Sequence, residues 1–278
     1  MGYLRFLGFI LSYLNSPNNH KNPKYSMLIG GLQKFSLLDY PEKISAIVFT
    51  QGCNFRCRFC YNPMLVWPLK VGKLKYVQNF IRESGQTAEQ QKAHPKIKED
   101  DLFVFLRSRL GKLDAVVITG GEPCLQKDLP EFIKKIKKMG FLVKLDTNGS
   151  FPEMLVSLIK KRLVDYIDMD SKAPADKYEE VIDVPISFNK IKKSVKIIMA
   201  SGLPYEFRTT IVPGLLNKDD IGEMGKIIKG ADKWYLQKFK SDIDLVGHDL
   251  EKRVPYNTRQ MKEMAEVGAK FVKKCEVR

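Results

Sequence analysis

Three cysteines stand in a CxxxCxxC spacing within Cys53-Asn54-Phe55-Arg56-Cys57-Arg58-Phe59-Cys60, with Gly52 before them and Tyr61-Asn62-Pro63 after. Thiolates are soft ligands that suit zinc or iron-sulfur clusters, and such clusters are ordinarily held by four of them. Here there are three. No fourth cysteine lies nearby, and His20, His94 and His248 are all remote in sequence. A centre one ligand short keeps an open coordination position, which separates reactive metal sites from closed structural ones. The loop therefore reads as catalytic. Two other readings stand beside it: a zinc-stabilised binding module, its knuckle completed by a distant residue, and three unrelated buried cysteines, which the tight spacing disfavours.

Such a loop needs a rigid base, and the apolar run Ile44 to Phe49 supplies one as a buried strand. Ahead of it, Gly30 to Pro41 reads as a hairpin or strand pair. From Glu99 onward, amphipathic helices alternate with short apolar strands. Helices are expected at Asp100 to Leu110, Asp128 to Met139, Glu153 to Lys161, Ser187 to Ala200 and Lys218 to Ile228. Strands are expected at Ala115 to Ile118, Leu142 to Leu145, Tyr166 to Met169, Phe207 to Val212 and Trp234 to Phe239. With the strand before the cysteines this makes six, and the alternation argues an α/β fold with a parallel sheet and crossover helices. Six units fall short of a closed eight-stranded barrel, so the expected fold is an open partial (β/α)6 TIM-like barrel.

In barrel-type α/β folds the working groups sit where the strands end. The three cysteines follow the first strand, Thr119-Gly120-Gly121-Glu122-Pro123 the second, and Asp146-Thr147-Asn148-Gly149 closes the third. Asp170-Ser171-Lys172 follows the fourth, Arg208 lies in the fifth before Pro213-Gly214, and the sixth carries Gln237-Lys238. Singly, the glycine pair is a plain turn, Asp146 to Gly149 an Asx turn, and Asp170 or Arg208 half of a salt bridge. Their common position behind a three-cysteine loop outweighs those readings.

No linker divides the chain, so one domain is expected over 27–278, with an insertion near 75–91 and an N-terminal extension, 1–26, that need not belong to the fold. The apolar run Tyr3 to Leu14 is shorter than the roughly 20 residues that span a bilayer and lacks a signal-peptide cleavage site; Met27 is an alternative start. The 47 Lys and Arg against 32 Asp and Glu give a formal charge of +15, a field that attracts acidic partners. The lysines are spread along helices, as at Lys134-Lys135 and Lys192-Lys193, which argues solvated faces and against nucleic-acid binding. Five cysteines make no disulfide framework, and a reducing, oxygen-poor cytoplasm is the expected setting.

The CxxxCxxC loop with its following aromatic and Asn-Pro resembles the signature of the radical S-adenosylmethionine (SAM) superfamily. The resemblance implies one 4Fe-4S cluster on Cys53, Cys57 and Cys60, its fourth iron chelated by the amino and carboxylate groups of SAM. Gly120-Gly121-Glu122-Pro123 matches that family's GGEP motif, which binds the SAM amino group. Asp146-Thr147-Asn148-Gly149 and Asp170-Ser171-Lys172 resemble strand-end motifs of glycyl-radical-enzyme activating proteins, where they line the SAM site. Ser171 replaces the apolar residue usual there. In some members the matching acids also hold a monovalent cation. Arg208 to Asn217 resembles a late Arg and Pro-Gly-x-Asn element, with one extra residue. The likeness runs from about Gly30 to Phe239, interrupted near Lys75 to Gln91. Gly31-Leu32-Gln33-Lys34-Phe35-Ser36-Leu37-Leu38-Asp39-Tyr40-Pro41 together with the cysteine loop looks most like activating proteins of anaerobic ribonucleoside-triphosphate reductase.

By this resemblance, one electron from a low-potential donor such as ferredoxin or flavodoxin cleaves SAM to methionine and a 5′-deoxyadenosyl radical, which takes a hydrogen atom from a backbone glycine of the partner enzyme. Cys124 and Cys275 are too few for a second cluster. The alternative enzyme reading is a radical SAM protein that modifies a small molecule or another protein.

Overall fold

The computed structural model describes residues 27–66 and 97–278; the tract 1–26 and the insertion expected near 75–91 lie outside them. The described residues form one eight-stranded sheet whose spatial order follows the chain. Strand β1 (Ile29–Ser36) runs antiparallel to β2 (Ser45–Thr50), making the hairpin expected at the start. Then come β3 (Ala115–Gly120), β4 (Leu142–Thr147), β5 (Tyr166–Asp170), β6 (Tyr205–Ile211), β7 (Trp234–Lys238) and β8 (Cys275–Val277), each parallel to its predecessor. The six expected strands are β2 to β7. With β1 and β8 as its two edges the sheet stays open, a partial barrel. No helix among the described residues is long and apolar enough to cross a membrane.

Helices α1 (Glu99–Arg107), α2 (Leu129–Lys138), α3 (Pro152–Lys160), α4 (Tyr178–Ile182), α5 (Phe188–Met199), α6 (Lys218–Ile227) and α7 (Thr258–Gly268) fill the connections. The logic of α2 is typical: Leu129, Phe132, Ile133 and Ile136 recur at helical spacing and are buried, while Lys135, Lys137 and Lys138 in its last turn complement the helix dipole. Helix α6 starts in a capping box. The Asn217 side chain accepts from the Asp219 and Asp220 amides at 2.9 and 3.1 Å, and the Asp220 carboxylate accepts from the Asn217 amide at 2.8 Å.

Successive strand residues point to opposite faces, and here the two faces differ in chemistry. Val116, Ile118, Val143, Leu145, Ile167 and Phe207 join the main core with Phe132, Ile133 and Ile198 of the helices. The other face starts apolar, with Ile47, Val117 and Tyr166. It then turns charged: the register sets Lys144 beside Tyr166, Asp146 beside Asp168, and Asp170 beside Arg208. That charged wall rises to the rim where the strand-end motifs lie.

Candidate metal and cofactor site

The cysteine loop is held mostly by main chain. Gly52 and Cys53 donate to the carbonyls of Leu65 and Val66 at 2.7 and 3.1 Å, ending in the single helical turn Pro63–Val66. Arg56 folds back so that its Nη1 donates to the Cys53 and Phe55 carbonyls, both at 2.7 Å, while its amide donates to the Ile182 carbonyl at the end of α4 at 2.9 Å. Phe55 is buried edge-on against Tyr178. A strap that follows β7 clamps the far side: Val246 donates to the Cys60 carbonyl at 3.2 Å and Gly247 to the Arg58 carbonyl at 2.7 Å. Arg58 also pairs with Asp249. A Cβ at Gly247 would stand 2.7 Å from Arg58 Cβ, so the close approach requires glycine.

Cys57 is buried, and Cys53 and Cys60 are half-buried. Burial pushes the Cys53 and Cys57 thiols up to about 12, and the thiols repel one another's charge. Burial also raises Cys60, against which the Lys172 ammonium works, as it does at Cys57. Without a metal these are neutral thiols, and an ion bound there would displace their protons. Among the described residues, no three Cys, His, Asp or Glu side chains are gathered tightly enough to grip an ion as they stand. The donor set, three cysteine thiols on one loop, fits a soft metal centre.

The glycine pair is fastened to this loop. Gly121 donates to the Thr50 carbonyl at 2.9 Å and Glu122 to the Gly52 carbonyl at 2.8 Å. A Cβ on Gly120, whose φ is 117°, would meet Thr50 N at 2.3 Å, and one on Gly121 would meet Gly52 O at 2.1 Å. Glu122 is 0% exposed. Its carboxylate accepts from Thr147 Oγ1 at 2.8 Å, the Cys124 amide at 2.9 Å and the Asn148 amide at 2.7 Å. A residue expected as an open ligand is thus first a strut between two strand ends; of a carboxylate's roughly four acceptor directions, three are taken. Asn148 continues the chain of contacts: its Nδ2 donates to Asn54 Oδ1 at 3.0 Å and comes within 4.0 Å of Cys53 Sγ. Asp146 to Gly149 is therefore no isolated turn.

Further round the wall stand six charged side chains. Lys144 Nζ lies 2.6 Å from Asp146 Oδ1 and 3.2 Å from Asp168 Oδ2. Arg208 Nη2 lies 3.0 Å from Asp146 Oδ2, and its Nε touches Asp168 Oδ2 and comes within 4.0 Å of Asp170 Oδ1. Lys172 Nζ bonds Asp170 Oδ2 at 3.1 Å and lies 5.6 Å from the Phe59 ring centre, which brings it to the cysteine loop. Burial works against the charges of Lys144 and Asp146, yet each holds the other ionised: Lys144 is raised, and Asp146, also beside Arg208, is lowered. Burial lifts Asp168 well above the carboxylate range despite its two cationic neighbours.

Contacts thus link the cysteine loop to Gly121, Glu122 and Asn148, and link Asp146, Asp170, Lys172 and Arg208 to one another; among the described residues, no contact ties Pro213-Gly214 or Gln237-Lys238 to them. Cys124 is buried in the wall, a 3.7 Å contact of Thr147 Oγ1, and Cys275 sits on the edge strand β8. Lys144 and Asp168 were not expected here. Their signal is a charge inside an otherwise apolar strand, Leu-Val-Lys-Leu and Tyr-Ile-Asp-Met. The strap leaves little, because apart from the Arg58–Asp249 pair it binds through backbone.

Residues 47–228 match the family model described as the Radical SAM superfamily. Over 256 residues, 90% of this chain and 95% of the relative, the sequence is 33% identical to a Methanocaldococcus jannaschii protein with the provisional name glycyl-radical enzyme activating enzyme. It is 26% identical over 243 residues, 84% of each chain, to the pyruvate formate-lyase-activating enzyme of Streptococcus mutans. Streptococcus suis SuiB, solved with its precursor peptide SuiA, is similar in fold, with a TM-score of 0.58 at 13% identity over 84% of this chain and 48% of SuiB. The family match runs from the strand that carries the thiols through α6 and so takes in the rim and the charged wall; the chain belongs to the radical SAM superfamily.

Proposed function

We propose that this protein is an activating enzyme that cleaves SAM reductively and generates a glycyl radical on a partner enzyme, and that the partner is anaerobic ribonucleoside-triphosphate reductase. What carries the first part is likeness, over nearly its whole length, to a relative with an activating-enzyme name. The second part rests on the resemblance of the Gly31 to Pro41 stretch, taken with the cysteine loop, to activating proteins of that reductase. In this reading Cys53, Cys57 and Cys60 hold one 4Fe-4S cluster. The backbone of Gly120 and Gly121 faces the SAM ammonium with the Glu122 carboxylate buried behind it as the complementary charge, and Asn148, Asp170, Lys172, Asp146 and Arg208 line the rest of its site. When bound, cluster and SAM supply the one-electron chemistry that makes a hydrogen-abstracting radical. The protein's residues position and shield: Arg56 and the strap fix the loop backbone, and Lys172 sets a positive charge beside thiolates that would otherwise repel one another.

A monovalent cation, also implied by the resemblance, does not fit the residues present, since both oxygens of Asp146 already face protein cations. The working unit is 27–278, with 1–26 dispensable, in a reducing cytoplasm; a low-potential ferredoxin or flavodoxin donates the electron, its acidic surface drawn by the +15 charge. Electron paramagnetic resonance of the reductase, after anaerobic incubation with the reduced, cluster-loaded protein and SAM, tests this. A glycine-centred doublet is expected, and none without SAM or with Cys57→Ala. SAM cleavage with no doublet rejects that partner. It would favour the second reading, a radical SAM enzyme that modifies a small molecule or another protein.

A further inference from the structure

Of the acids that the resemblance matches to a cation site, Asp146 and Asp170, Asp170 already has Lys172 at 3.1 Å and Arg208 at 4.0 Å, and Asp146 is met by protein cations on both sides. Asp146 presents Oδ1 to Lys144 Nζ at 2.6 Å and Oδ2 to Arg208 Nη2 at 3.0 Å. Asp168, 0% exposed, presents Oδ2 to both cations. The Lys144 side chain is itself only 1% exposed. Asp146 and Asp168 therefore face two protein cations in a largely buried cluster, in which Asp146 is 12% and Arg208 17% exposed, and Asp170 stands on the far side of Arg208. A hard metal ion binds by gathering several oxygens at once. Here three of the four carboxylate oxygens already face N–H donors. The fourth, Asp168 Oδ1, is buried and makes no hydrogen bond among the described residues, but it stands beside two fixed positive charges that repel a third. Adding an ion would leave an uncompensated charge in a buried setting, which is strongly unfavourable.

We infer that Lys144 is the built-in counter-cation of this site, a positioning residue that holds Asp146 and Asp168 in place of an exchangeable monovalent metal ion. The inference rests on the ion geometry and the family assignment, and it is independent of which molecule the radical attacks. It also differs from a plain structural ion pair. Removing Lys144 should leave a carboxylate pocket that a small cation can enter, whereas an ordinary broken pair would be indifferent to which salt is present.

The test compares buffers of equal ionic strength whose only cation is sodium, potassium or tetramethylammonium, which is too bulky and apolar to enter. For the full chain, the thermal midpoint should be the same in all three. For Lys144→Met, which keeps the chain length and removes the charge, the midpoint should fall in tetramethylammonium and recover by several degrees in potassium or sodium, as a ligand that binds only the folded state requires. The double variant Lys144→Met with Asp146→Asn removes the carboxylate that Lys144 holds ionised and should lose that dependence. Anaerobic equilibrium dialysis of cluster-loaded protein gives a second readout. Wild-type affinity for SAM should vary by less than about twofold among the salts, and Lys144→Met should bind roughly tenfold more weakly in tetramethylammonium than in potassium, about the loss of one charge-assisted contact. A wild-type protein that needs sodium or potassium for its midpoint or its SAM affinity overturns the inference. So does a folded Lys144→Met protein indifferent to the salt. Should that variant not fold in any salt, the wild-type comparison and the double variant decide alone.

Discussion

Replacing Glu122 with Gln should damage the fold and the SAM site together. The carboxylate accepts three hydrogen bonds, two of them from the backbone amides of Cys124 and Asn148, with no exposure to water. Glutamine fills the same volume and keeps one acceptor oxygen, so its NH2 must face a donor whichever way it turns. Toward Asn148 it meets an amide 2.7 Å away; the other way it meets the Cys124 amide and the Thr147 hydroxyl, of which only the hydroxyl can rotate to accept. The better arrangement still loses a charge-assisted bond and strands one buried N–H. That is worth about 2–4 kcal/mol, less whatever is regained because burial no longer opposes a charge. Urea unfolding of wild type and variant should therefore show a lower midpoint at unchanged slope. SAM affinity should fall as well, because the strut fixes Asn148 against the cysteine loop. A variant within about 0.5 kcal/mol of wild type, the usual range for inconsequential changes, would refute the strut.

Three more expectations follow from the same contacts. Gly247→Ala places a methyl group 2.7 Å from Arg58 Cβ and should lower iron content per chain after anaerobic reconstitution with every cysteine intact; full loading would show that the strap is unimportant. The hydrogen bond from Arg58 holds the Asp249 carboxyl below its ordinary value of 3.8, so its contribution is complete above that value and is lost as the pH falls through the lowered one. Hydrogen exchange at Val246 and Gly247, corrected for intrinsic rates, should accelerate in that acid range before exchange in β3 and β4 does; simultaneous loss would contradict it. Cys124→Ala should retain its iron while Cys57→Ala loses it, and iron analysis that fails to separate them would mean the ligand set is misassigned.

Much of the architecture was legible because β2 and β3 are apolar runs and the later strands keep nearly every second residue apolar and buried, bounded by glycine, proline and charge. The rim was legible because the unusual residues stand at strand ends. Other features leave weaker traces. Strand β8 is three residues long behind Lys273-Lys274, and α7 buries Met261, Met264, Ala265 and Gly268, a face too small and too broken to show in the sequence pattern. The strap and the role of Glu122 rely on backbone amides, which every sequence carries alike. Lys144 was visible as a lysine in a buried strand with Asp146 two residues on, but its second partner, Asp168, comes from β5, which only the register brings beside it.

Activation of a glycyl-radical enzyme would be tested most directly by following the hydrogen atom itself. The partner reductase is produced with glycine deuterated at its α carbon, then incubated anaerobically with the reduced, cluster-loaded protein and unlabelled SAM, and the 5′-deoxyadenosine is analysed by mass spectrometry. Transfer of a single deuterium, absent when Cys53, Cys57 or Cys60 is replaced, is the expected result. Unlabelled 5′-deoxyadenosine formed at the same rate with or without the partner would contradict the account.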